Sequence, residues 1–94
     1  MKLNRNTKKA RALVQAYERS YNYELNQCYA SYSHAKAVAE AHCRKKMFDM
    51  GGYGFKILSF NSQVFTCGWL YEDKETGATM LNVETCRNIY TIEY

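Results

Sequence analysis

The sequence predicts an α+β domain with two N-terminal helices packed on a four-stranded antiparallel β-meander. Three observations carry that expectation. Apolar residues recur at steps of three and four from Ala10 to Tyr32, an Ala-rich stretch follows, and the period changes to two after Gly54. A Gly51-Gly52 pair separates the two regimes, where a helix stop is expected because glycine accepts positive φ. No proline interrupts either half. A chain of 94 residues fits one domain. It divides into a basic N-terminal arm (1–7), a helical part (8–50) and a sheet (53–94).

In the first helix, expected over 8–29, Ala10, Leu13, Val14, Tyr17, Tyr21, Leu25, Cys28 and Tyr32 follow one face. Thr7 is its N-cap. Arg11, Gln15, Glu18, Arg19, Asn22 and Asn26 make the opposite, polar face. Residues 30–33 are either a turn or a kink. Ser33 caps a second helix from His34 to Met50, whose Ala35, Ala37, Ala39 and Ala41 permit close packing.

The strands are expected at 55–60, 64–71, 78–85 and 88–94. Asn61-Ser62 and Cys86-Arg87 are tight turns, and 72–77 is a polar loop with Gly77 at a left-handed position. A two-residue turn at 86–87 pairs Val83 with Tyr90 and Leu81 with Ile92. Glu84, Asn82, Thr91 and Glu93 then form a polar face, the pattern of a sheet covered on one side. The first hairpin is different. A turn at 61–62 puts Leu58, Phe60, Phe65, Cys67 and Trp69 on one face, and Phe55, Ile57, Val64 and Leu70 on the other. Two apolar faces need two covers. Either the helices split across the sheet, a bulge or the arm covers the second face, or aromatic side chains are left exposed. Exposed apolar patches mark partner sites, so Phe65, Trp69 and Tyr71 are the candidate partner-binding residues.

Charge is uneven. Residues 1–46 hold ten Lys and Arg against three acids (+7), and residues 47–94 hold three against six (−3). Lys2, Arg5, Lys8, Lys9 and Arg11 form one cluster; Arg44, Lys45 and Lys46 form another. Such clusters suit phosphate contact, since each phosphate neutralised releases counterions. The second cluster is equally explained as the last turn of a helix, where cations complement the macrodipole. The first is not, because cations at a helix N-terminus oppose the dipole; a frayed terminus is its structural explanation.

Catalytic signals are weak. The histidines, His34 and His42, lie about 12 Å apart along one helix, and His42 and its neighbour Cys43 point about 100° apart. The cysteines at 28, 43, 67 and 86 form no Cys-x-x-Cys pair, so no metal or cofactor is expected and the thiols are read as small buried apolar groups. No phosphate-binding loop or dinucleotide fingerprint occurs. Residues 52–57 resemble the RNP1 strand of RNA-recognition domains, but depart at Gly51, at Lys56 and in element order. With no apolar leader and no run long enough for a membrane span, a cytoplasmic, non-enzymatic binding protein is expected.

The segment Lys56-Ile-Leu-Ser-Phe-Asn-Ser-Gln-Val-Phe-Thr-Cys-Gly68, with Asp73-Lys-Glu-Thr-Gly77, Val83-Glu-Thr85 and Ser33-His-Ala-Lys-Ala37, resembles small uncharacterised proteins of phages and mobile elements. The resemblance implies a stoichiometric inhibitor of a host protein or nucleoprotein complex, of the kind to which anti-CRISPR proteins belong. It assigns a role to no residue. The competing readings are a basic RNA- or DNA-binding module and a homodimer formed through the apolar hairpin face.

Overall fold

The computed structural model describes residues 2–22, 34–60, 65–85 and 88–94. Among these the chain forms, in order, β1 (Lys2–Leu3), α1 (Lys8–Asn22), α2 (His34–Asp49), β2 (Tyr53–Phe60), β3 (Phe65–Glu72), β4 (Thr79–Thr85) and β5 (Ile89–Glu93). The α+β class is as expected, but a short strand precedes the helices. The four-stranded meander is not formed: the sheet has five strands in the order β1-β5-β4-β3-β2. The added strand comes from the basic arm, which pairs parallel with β5 and sets Lys2 against Thr91 and Leu3 against Ile92. This covers a sheet edge that β5 would otherwise leave open and adds Leu3 to the core. Two residues carry too little periodicity to announce a strand.

Thr7 caps α1 as expected. Its Oγ1 accepts the Ala10 N–H at 3.1 Å, and its carbonyl accepts the Arg11 N–H at 3.0 Å. The expected run of this helix to residue 29, and the turn or kink at 30–33, lie outside the described residues. α2 closes in a Schellman arrangement: the Gly52 N–H reaches the Met47 carbonyl at 2.8 Å and the Gly51 N–H reaches that of Phe48 at 3.0 Å. Gly51 takes φ +68°, a conformation that a side chain would strain.

The β4–β5 register is the predicted one, Val83 opposite Tyr90 and Leu81 opposite Ile92. The Asn61-Ser62 and Cys86-Arg87 turns fall outside the described residues. In the β3–β4 loop Gly77 takes φ +72°, its N–H donating to the Asp73 carbonyl at 2.7 Å.

The two helices take opposite faces of the sheet. Ala10, Val14 and Tyr17 of α1 pack with Leu81, Val83, Tyr90 and Ile92. Cys43 and Met47 of α2 pack with Ile57, Cys67 and Trp69. These partners alternate along β3 and β4, where Gly68 pairs with Val83 and Trp69 with Asn82. Each helix thus covers the side chains that the pleat sends its way.

The face assignment of the first hairpin needs correction. Register shifts between Tyr53 and Lys56 and between Ile57 and Ser59 interrupt the β2–β3 ladder. Ile57 therefore stands opposite Cys67 and joins Phe55, Phe60 and Phe65 beside α2, whereas Leu58 and Leu70 face α1. An extra residue in one strand inverts the side-chain parity beyond it. The α1 side chains anchor this irregular strand: the Tyr17 hydroxyl donates to the Gly54 carbonyl at 2.7 Å and the Ser20 hydroxyl to that of Ile57 at 3.2 Å.

Candidate functional site

The basic N-terminal end is a folded structure, not a frayed terminus. β1 fixes Lys2 in the sheet. A turn follows in which the Thr7 N–H donates to the Asn4 carbonyl at 3.0 Å and the Asn6 N–H to Asn4 Oδ1 at 2.9 Å. The Arg5 guanidinium donates to the Tyr94 carbonyl, tying the turn to the far end of the chain. Lys8, Lys9 and Arg11 open α1, whose first turn contains no acid. Lys9 is occupied within the fold: its Nζ donates to the Tyr90 hydroxyl at 3.0 Å and lies 4.3 Å from the centre of that ring. Lys2, Lys8 and Arg11 are exposed and form no ion pair among the described residues. Two surface depressions share Arg5 and Asn6. One also presents Lys2, and the other Arg11. Each has one carboxylate at its rim, Glu93 in the first and Glu18 in the second.

The second basic cluster is not continuous with the first. Arg44, Lys45 and Lys46 sit on α2, across the sheet from α1. Arg44 pairs with Glu40 at 3.2 Å and lies 4.9 Å from the Phe55 ring centre. Lys46 Nζ donates to Glu84 Oε1 at 3.0 Å. Of the three, Lys45 is exposed without an ion pair among the described residues.

Trp69, expected on a partner surface, is fully buried at 0% exposure. The splitting of the helices across the sheet places α2 over it, so it is core and presents no contact area. Phe65 and Tyr71 are half-buried; Phe65 stands edge-on to the His42 ring at 6.4 Å. Among the described residues, the large apolar groups that meet solvent are Phe48, at 71% exposure, with Met50 and Tyr53. They gather around the α2–β2 connection, a position that hairpin periodicity does not flag.

Beneath α2 the structure also assembles a polar cluster that the sequence spacing hides. The Cys43 and Cys67 sulfurs and a Glu84 carboxylate oxygen all lie within 4.8 Å of one another, and all three residues are buried. The two cysteines are therefore not scattered, as the spacing suggests; Cys28 and Cys86 lie outside the described residues. Glu84 was expected on a solvated polar face, yet it is 4% exposed, because α2 covers that face as well. Its Oε1 meets Lys46 and, at 3.3 Å, His42 Nε2. Its Oε2 is buried without a hydrogen-bond partner among the described residues. A hydrogen bond with Cys43, then burial, push the Cys67 thiol well above its usual range. Asn82, also on this face, is fully buried; its Oδ1 accepts the Thr91 hydroxyl at 2.7 Å and its amide donates to Met50 Sδ at 3.3 Å.

No protein-family model matches the chain, and neither do any curated protein or solved structure. No helix among the described residues is long and apolar enough to cross a membrane.

Proposed function

We propose that this chain is a non-enzymatic binding protein whose basic N-terminal end engages a nucleic acid, free or carried by a host nucleoprotein. The observation that supports this reading is the ordered array of cations at the start of α1. Lys8 and Arg11 stand where the helix dipole is already positive, in a first turn that contains no acid. Lys2 and Arg5 are held beside them by β1 and its turn. Like charges and a dipole of the same sign cost stability in the free protein, and a phosphate chain relieves that cost. Arginine suits the role because its fork matches phosphate oxygens in pairs. The resemblance to phage and mobile-element proteins supports an inhibitory role, in which the basic end occupies or covers a host complex's nucleic-acid path.

Fluorescence anisotropy with a labelled single-stranded oligonucleotide tests this. Affinity falls steeply with salt, and Lys2→Gln, Lys8→Gln and Arg11→Gln each lower the slope of log K against log salt by about one. Lys45→Gln, across the sheet, leaves the slope unchanged. Binding that is absent, or indifferent to salt, removes the proposal.

A second reading rests on Phe48, Met50 and Tyr53. Three exposed large apolar side chains at one corner suit a protein partner, including a second copy of this chain. Light scattering of the wild type and of Phe48→Ser decides the homodimer: a monomeric mass for both sinks it.

A further inference from the structure

We infer that Cys43, Cys67 and Glu84 form a binding site for Zn²⁺ or a similarly thiophilic divalent cation beneath α2. The three donors come from three separate elements, α2, β3 and β4, and converge to within 4.8 Å of one another. Zinc bonds sulfur at about 2.3 Å and carboxylate oxygen at about 2.0–2.2 Å in a tetrahedron. Donors already this close reach those distances by small side-chain rotations.

A second observation points the same way. Glu84 Oε2 is buried and accepts no hydrogen bond from the described residues, and an unsatisfied carboxylate oxygen is costly to hold away from water. The other oxygen of the same group is fixed by Lys46 at 3.0 Å and His42 at 3.3 Å. That is the outer-shell arrangement that orients a ligating carboxylate. A disulfide between Cys43 and Cys67 would account for the two thiols and leave Oε2 as it is; a cation accounts for all three groups. Charge also balances, because two thiolates and a carboxylate are met by a divalent ion together with the Lys46 ammonium. Two sulfurs favour zinc over the hard cations magnesium and calcium, which take oxygen ligands. The fourth position of the tetrahedron falls to water.

The test uses the full chain carrying Cys28→Ser and Cys86→Ser, kept reduced, and titrated with Co²⁺ as a spectroscopic probe. The expected result is one equivalent bound, with a thiolate-to-cobalt charge-transfer band and the visible bands of tetrahedral cobalt, all abolished by one equivalent of Zn²⁺. Cys67→Ser weakens the charge-transfer band, and Glu84→Gln shifts the visible bands and lowers affinity. Because the parent spectrum decides the matter, a variant that fails to fold does not rescue the idea. Absence of the charge-transfer band in the reduced parent overturns it. So does a cobalt spectrum unchanged by folded Glu84→Gln.

Discussion

The Tyr17 ring lies so close over Gly68 that a methyl group on that glycine would come within 2.9 Å of the ring carbon Cδ2. The ring cannot swing aside freely. Its hydroxyl is tied to the Gly54 carbonyl at 2.7 Å, and its edge meets Tyr94 with ring centres 5.9 Å apart. α1 is thus locked onto β2 and β3 through one side chain. Gly68→Ala is expected to destabilise the fold by about 1–3 kcal/mol through overpacking, measured by urea denaturation. Tyr17→Phe should lose less, because it keeps the ring and gives up only the hydrogen bond.

Trp69 offers a direct test of its reassignment from surface to core. It is the chain's one tryptophan, so its fluorescence reports on this position alone. Emission should be blue-shifted and resistant to acrylamide quenching in the folded protein. Trp69→Ala should cost about 3–5 kcal/mol, a large share of the total stability of so small a domain. Trp69→Phe should cost less, since it keeps a ring in the core and removes an indole N–H that is buried without a hydrogen-bond partner among the described residues. Ready quenching in the native state would contradict the burial.

Fully buried Asn82 and half-buried Thr91 form a polar pair between β4 and β5. Thr91→Val keeps the shape and removes the hydroxyl that Asn82 Oδ1 accepts at 2.7 Å. With Asn82 fully buried, the loss should be about 1–3 kcal/mol. Adding Asn82→Leu to Thr91→Val should recover part of it, because apolar groups then face each other. Unfolding midpoints of the single and double variants measure the difference.

Tyr53 and Glu72 supply a pH-dependent contact. The phenol donates to Glu72 Oε1 at 2.9 Å, and that bond raises the Tyr53 pKa above its ordinary value, with desolvation and the carboxylate charge adding to the shift. The neutral phenol is the form favoured in the folded state. The contact is therefore fully present below the ordinary phenol pKa of about 10 and is lost as pH rises through the raised value. Titration of the Tyr53 ring resonance by NMR should show a higher pKa than an exposed tyrosine, returning toward that value in Glu72→Gln.

Much of the fold could be read locally. The start and cap of α1, the glycine stop after α2, the strand spans to within two residues and the β4–β5 register all depend on neighbours a few positions apart. Less of the candidate sites was legible. The N-terminal cations were visible as a cluster, but the array at the helix start exists because β1 adds to β5. Phe48 was invisible, because its exposure depends on which side of α2 meets the sheet.

What the amino-acid order determined by itself was periodicity, punctuation and charge, since each is a property of residues close in the chain. Tertiary structure alone decided which sheet face each helix covers, where bulges reverse the parity of β2, and whether Trp69 meets water. It also brought Cys43 to Cys67, 24 positions away, and placed Glu84 under a helix. These outcomes follow from packing between segments distant in sequence, where the burial of apolar surface and the pleat of the sheet act on the whole chain at once.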